Sequence, residues 1–130
     1  MRLRLVLVAL ALALAAPVAA AAPPFKAVLK AGTPTPTVNK KWWWELRVTD
    51  LVGKPIRGRL TLEILDPLGG VHPVEFGDTT RTIVNFSFVG RFRDFVRFPP
   101  ESRGFALTVR WTVKAKGKRI VLKRTVTPAR

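Results

Sequence analysis

Trp42-Trp43-Trp44-Glu45-Leu46-Arg47-Val48-Thr49-Asp50 sets Trp42, Trp44, Leu46 and Val48 at every second position, with Trp43, Glu45, Arg47 and Thr49 between them. A period of two marks a β-strand with one face in a core and the other in water. Asp50 then opens a turn through Leu51-Val52-Gly53-Lys54-Pro55, and the alternation resumes. Leu60, Leu62 and Ile64 alternate with Arg59, Thr61 and Glu63, and Val84, Phe86 and Phe88 with Asn85 and Ser87. The longest run sets Phe105, Leu107, Val109, Trp111 and Val113 against Ala106, Thr108, Arg110, Thr112 and Lys114. A last run, Ile120, Leu122 and Val126, ends before Pro128. Phe25–Leu29 and Gly70–Glu75 are weaker candidates, and Pro73 confines the second to a sheet edge.

Turn chemistry falls between the runs at Gly32–Pro36, Asp66–Gly70, Gly77-Asp78, Phe98–Pro100 and Lys116-Gly117-Lys118. Helical periodicity is confined to the N-terminus. About seven short strands, each with one apolar face, predict an all-β fold. The expected form is a single immunoglobulin-like antiparallel β-sandwich, with a small closed barrel as the alternative. Its predicted core is Trp44, Leu46, Leu62, Ile64, Phe86, Phe88, Leu107, Val109, Trp111 and Leu122.

Composition narrows the functions. The chain has 130 residues, no Cys, one His and one Met. One domain is the default at this length. Without Cys there is no disulfide, thiolate metal site or Cys nucleophile, so Trp44 and Trp111 must supply the central mass that a disulfide gives many exported sandwiches. The N-terminus carries Arg2 and Arg4, an apolar run from Leu5 to Ala16, and small residues from Val18 to Ala22 before Pro23-Pro24. These are the three parts of a secretory signal. The expected division is a signal peptide over 1–22 and the sandwich over 23–130, in a secreted or extracytoplasmic protein. An uncleaved membrane anchor is the other reading, opposed by Pro17 within the roughly 20 residues a span needs. Export argues against nucleic acid as a partner.

Thr49-Asp50-Leu51-Val52-Gly53-Lys54-Pro55-Ile56-Arg57-Gly58 resembles the D-x-x-G-K-P-V-x-G turn of bacterial extracytoplasmic immunoglobulin-like modules, the YtkA-like and related families. The resemblance implies an immunoglobulin-like fold over about residues 25–127. The copper handling associated with YtkA-like domains rests on His and Met ligands. His72 stands alone here and the one Met is the initiator, so that activity does not carry over.

The inventory is that of a non-catalytic domain. Beyond the signal the serines are Ser87 and Ser102, neither in a nucleophile-elbow pattern, and His72 is the one possible base. A carboxylate-dependent hydrolase would draw on Glu45, Glu63, Asp66, Glu75, Asp78, Asp94 and Glu101, most of them beside basic residues or at turns. His72 with Glu75 and Asp78 is a poor metal set, so neither metal nor cofactor is expected.

Charge is the remaining signal. Lys and Arg number 23 against 8 Asp and Glu, a net +15. Two clusters stand out. Lys114, Lys116, Lys118 and Arg119 crowd the tip of the last hairpin, and Arg91, Arg93 and Arg97 share one parity around Phe95. Asp94 falls in the opposite, apolar row, and a neighbouring Arg is its expected partner. Trp43 and Arg47 are expected on the outer face of their strand. These nine residues, Trp43, Arg47, Arg91, Arg93, Arg97, Lys114, Lys116, Lys118 and Arg119, are the candidate binding set. Anionic polymers or lipid surfaces of the cell envelope are the candidate partners. A small carbohydrate-binding module that stacks sugars on Trp43 is the alternative. The same charge also keeps an exported sheet soluble and blunts its edges.

Overall fold

A computed structural model describes residues 22–130. The export signal expected over 1–22 lies, Ala22 apart, outside the described residues. The strands are β1 (Phe25–Ala31), β2 (Lys41–Asp50), β3 (Arg57–Leu65), β4 (Val71–Pro73), β5 (Phe86–Val89), β6 (Arg91–Arg97), β7 (Leu107–Ala115) and β8 (Lys118–Val126). They form two antiparallel sheets, β1-β2-β6 and β4-β3-β7-β8, with β5 pairing β3 beside β4. The fold is the all-β sandwich expected, with eight strands where the alternation predicted about seven.

The apolar parity of each strand meets its counterpart between the sheets. Leu46, Val48, Leu60, Leu62, Val109, Trp111 and Val113 lose all contact with solvent. Trp44 and Trp111, 1% and 0% exposed, meet edge to face with centroids 6.0 Å apart. Trp44 also stacks on Phe92 at 5.1 Å. The two indoles thus meet across the sandwich, one from β2 and one from β7. The ladders between named strands and the buried cluster among the described residues lie within 25–126.

Three local expectations change. Ile64, Phe86 and Leu122 of the predicted core are half-buried, because they lie toward strand ends or on an edge strand. Val84 is exposed and Ile83 buried, because Asn85 adopts φ 48 and breaks the alternation ahead of β5. Asp94 takes no Arg: its Oδ2 accepts the Gly77 backbone N–H at 3.0 Å. Between β5 and β6 the chain crosses from one sheet to the other at Gly90, whose φ of 73 and contact with Pro55 leave no room for a side chain.

Candidate functional site

The nine candidate residues fall on two separate surfaces. The first is the outer face of β1-β2-β6, where the register sets Trp43 opposite Phe95, Glu45 opposite Arg93, and Arg47 opposite Arg91. Trp43 is 42% exposed, but it is not a bare platform. Phe95 packs against it edge-on at 5.1 Å, the Arg93 guanidinium stands 4.5 Å from its centroid, and Lys41 Nζ lies 5.8 Å away. Glu45 accepts from Arg47 Nε at 2.9 Å and faces Arg91 Nε at 3.0 Å. The Arg47 hydrogen bond, with Arg91 beside it, holds the Glu45 carboxyl below its ordinary range. Arg97 donates through Nε and Nη2 to Asp78 at 2.7 and 3.2 Å, and through Nη1 to the Asn39 carbonyl at 2.8 Å. That bond lowers the Asp78 carboxyl and raises the Arg97 guanidinium. The guanidinium groups on this face are paired or stacked.

The second surface is the end of the sandwich at the β7–β8 hairpin. Antiparallel pairing sets Arg59 opposite Lys114 and Lys114 opposite Arg119, a row of three like charges across adjacent strands. Like charges directly opposite one another destabilise a sheet. Arg57, Arg59, Lys114, Lys116, Lys118 and Arg119, all exposed, line an open depression of about 710 Å³ with no carboxylate in its wall. Arg57 donates to Ser87 Oγ at 2.9 Å and Arg59 to the Asn85 carbonyl at 3.4 Å, neutral acceptors that leave both charges uncompensated. The hairpin turns on Lys116-Gly117, with φ of 48 and 69. Both central positions are left-handed, which favours Asn, Asp or Gly at the first. A Lys there costs about 1 kcal/mol.

Four candidate residues, Lys114, Lys116, Lys118 and Arg119, belong to this end, and Trp43, Arg47, Arg91, Arg93 and Arg97 to the other face. Arg57 and Arg59 escaped the sequence reading. Their signal was the outward parity of Arg57-x-Arg59, which acquires meaning once β3 is paired with β7.

Several of the groups with catalytic potential are engaged elsewhere. Ser102 Oγ donates to the Pro99 carbonyl at 2.6 Å, and Ser87 Oγ accepts from Arg57. Asp66 is within 2.7 Å of His72 Nε2 and accepts the Leu68 and Gly70 backbone N–H groups at 2.9 Å each, so its carboxyl is lowered. Glu63 accepts from Arg110 at 2.9 Å. Carboxylates stabilised as anions are poor proton donors, whereas a glycosidase acid needs its carboxyl raised. No group of three or more His, Cys, Asp or Glu among the described residues could hold a metal ion.

Comparison with family models, curated proteins and solved structures finds no match for the chain.

Proposed function

We propose that this is an extracytoplasmic, non-catalytic immunoglobulin-like module that attaches to an anionic surface of the cell envelope, polymer or lipid, through the hairpin end. The observation that carries the reading is the Arg59–Lys114–Arg119 row, three opposed cations lining a depression with no carboxylate in its wall. A fold that needed charge for solubility alone would gain nothing by aligning it. A phosphate or carboxylate bridging the three side chains turns mutual repulsion into shared attraction. The engaged serines and lowered carboxyls support the non-catalytic part, and the secretory pattern of the N-terminus supports the location.

The test is retention of residues 23–130 on immobilised polyphosphate and on uronic-acid polysaccharide, at about 50 mM and about 500 mM salt. The Debye length shrinks from ~8 Å at physiological ionic strength toward ~3 Å at 1 M, so retention at low salt should vanish at high salt. Arg59→Gln with Arg119→Gln should weaken retention at least tenfold. Absence of low-salt binding to these polymers and to anionic phospholipid vesicles alike would sink the reading. Salt-resistant retention on polysaccharide that disappears in Trp43→Ala would move the assignment to sugar stacking on the other face.

A further inference from the structure

The end of the sandwich that carries the hairpin cations carries something charge does not explain. The β2–β3 loop projects there, because Asp50 closes β2 and Arg57 opens β3. At its tip Leu51 is 57% and Val52 88% exposed. The loop is tightly held. Asp50 Oδ1 accepts the Val52 and Lys54 backbone N–H groups at 3.1 and 2.8 Å, and Asp50 N–H donates to the Lys54 carbonyl at 2.8 Å. Asp50 is the one carboxylate on this loop, and its hydrogen bonds are spent on the loop's own backbone. Lys54 follows the apolar pair, and Val89, also exposed, flanks it beside the Gly90–Pro55 contact.

An exposed aliphatic tip on a tightly held loop, at the same end of the sandwich as the uncompensated hairpin cations, has the chemistry of a bilayer interface. The aliphatic side chains enter the headgroup boundary while Lys and Arg remain level with lipid phosphates. A soluble polymer has no apolar layer to receive Leu51 and Val52. Phe25 lies opposite Asp50, so β1 also begins at this end. We infer that the hairpin end is a membrane-docking surface for anionic phospholipid headgroups, with the Leu51-Val52 loop as its inserting wedge. The inference rests on the proposed function and narrows its anionic surface to a bilayer. Because Asp50 already fixes the loop, insertion orders little backbone.

The experiment is co-sedimentation of residues 23–130 with vesicles of phosphatidylglycerol and phosphatidylcholine, and with phosphatidylcholine alone, beside retention on polyphosphate. The variant is Leu51→Ser with Val52→Ser, whose exposed positions leave the core intact. The expected result is binding to anionic vesicles only, reduced at least tenfold in the variant, with polyphosphate retention unchanged. A variant that binds anionic vesicles as well as wild type overturns the wedge. Retention on polyphosphate without vesicle binding overturns the bilayer in favour of a polymer. Failure of the wild type on both supports overturns the proposed function itself.

Discussion

Replacing Trp111 by Phe should change stability little, whereas the same replacement at the more exposed Trp42 should be costly. Phe for Trp removes about three buried ring atoms, which at roughly 0.8 kcal/mol per methylene-sized group costs about 2 kcal/mol at either site. The two indole N–H groups then decide the outcome. Trp111 Nε1 is buried with no acceptor, and so is Trp44 Nε1. Burying an unpaired donor costs roughly 1–3 kcal/mol, and Phe removes that penalty with the nitrogen. The terms nearly cancel, leaving Trp111→Phe within about 1 kcal/mol of wild type. Trp42 Nε1 donates to the Thr33 carbonyl at 2.8 Å. Trp42→Phe therefore loses a hydrogen bond worth about 1 kcal/mol as well as the ring atoms, about 3 kcal/mol in all. Trp111→Ala, which empties the site where the sheets meet, should cost about 3–5 kcal/mol. Urea denaturation of residues 23–130 followed by far-ultraviolet circular dichroism measures all three, at equal m-value. If Trp111→Phe costs as much as Trp42→Phe, the unpaired N–H groups contribute nothing and the reasoning is refuted.

Gly90→Ala should destabilise by about 1–2 kcal/mol for its left-handed backbone, and further because a Cβ would come within 2.8 Å of Pro55. Gly53→Ala, where nothing lies within 4 Å, should cost less, and equal urea midpoints would discount the Pro55 contact. Lys116→Asn should stabilise the hairpin by up to about 1 kcal/mol while weakening retention on polyphosphate, and a variant both more stable and equally well retained would remove Lys116 from the surface. Glu45, Asp66 and Asp78 are held below their ordinary values of 4.5, 3.8 and 3.8, so their stabilisation is complete above those values and lost as pH falls through the lower folded ones. Thermal midpoints should stay level from about pH 7 to pH 5 and decline below about pH 4, and a profile level to about pH 2 would contradict the pairing.

Strands β2, β3 and β7 were legible because each presents an unbroken apolar parity to the core, and periodicity records that directly. β8 was blurred because it is an edge strand with most of its residues exposed. What the sequence hid was relational. Nothing local shows that Gly90 sends β6 into the sheet opposite β5, and that crossing is what separates the Arg91–Arg97 cluster from the hairpin lysines. The Asp94 partner was misread because it is a backbone N–H on a loop, invisible in a pattern of side chains. Arg57 and Arg59 were passed over for the same reason, since their neighbours on β5 and β7 are distant in the chain.

The two basic surfaces share a composition but differ in what each leaves over. On the three-stranded face the fold absorbs its charge: Arg47 and Arg91 converge on Glu45, Arg97 grips Asp78, and Arg93 lies over Trp43. Such a face is rigid, balanced in detail and offers an incoming anion only exchange of one partner for another. At the hairpin end the fold instead accepts two costs. It sets three cations opposite one another, and it places Lys where the turn favours Asn or Gly. Neither cost improves the sandwich, whose core is closed without them. Like charges also face each other at Arg47–Arg91, Lys41–Arg97 and Arg110–Lys123, but Glu45, Asp78 and Glu63 pair there with Arg91, Arg97 and Arg110. The hairpin row has no such ion pair, and a single anionic, apolar-backed partner would relieve its repulsion and cover Leu51 and Val52 at the same end. Solubility alone explains the number of charges but not their register.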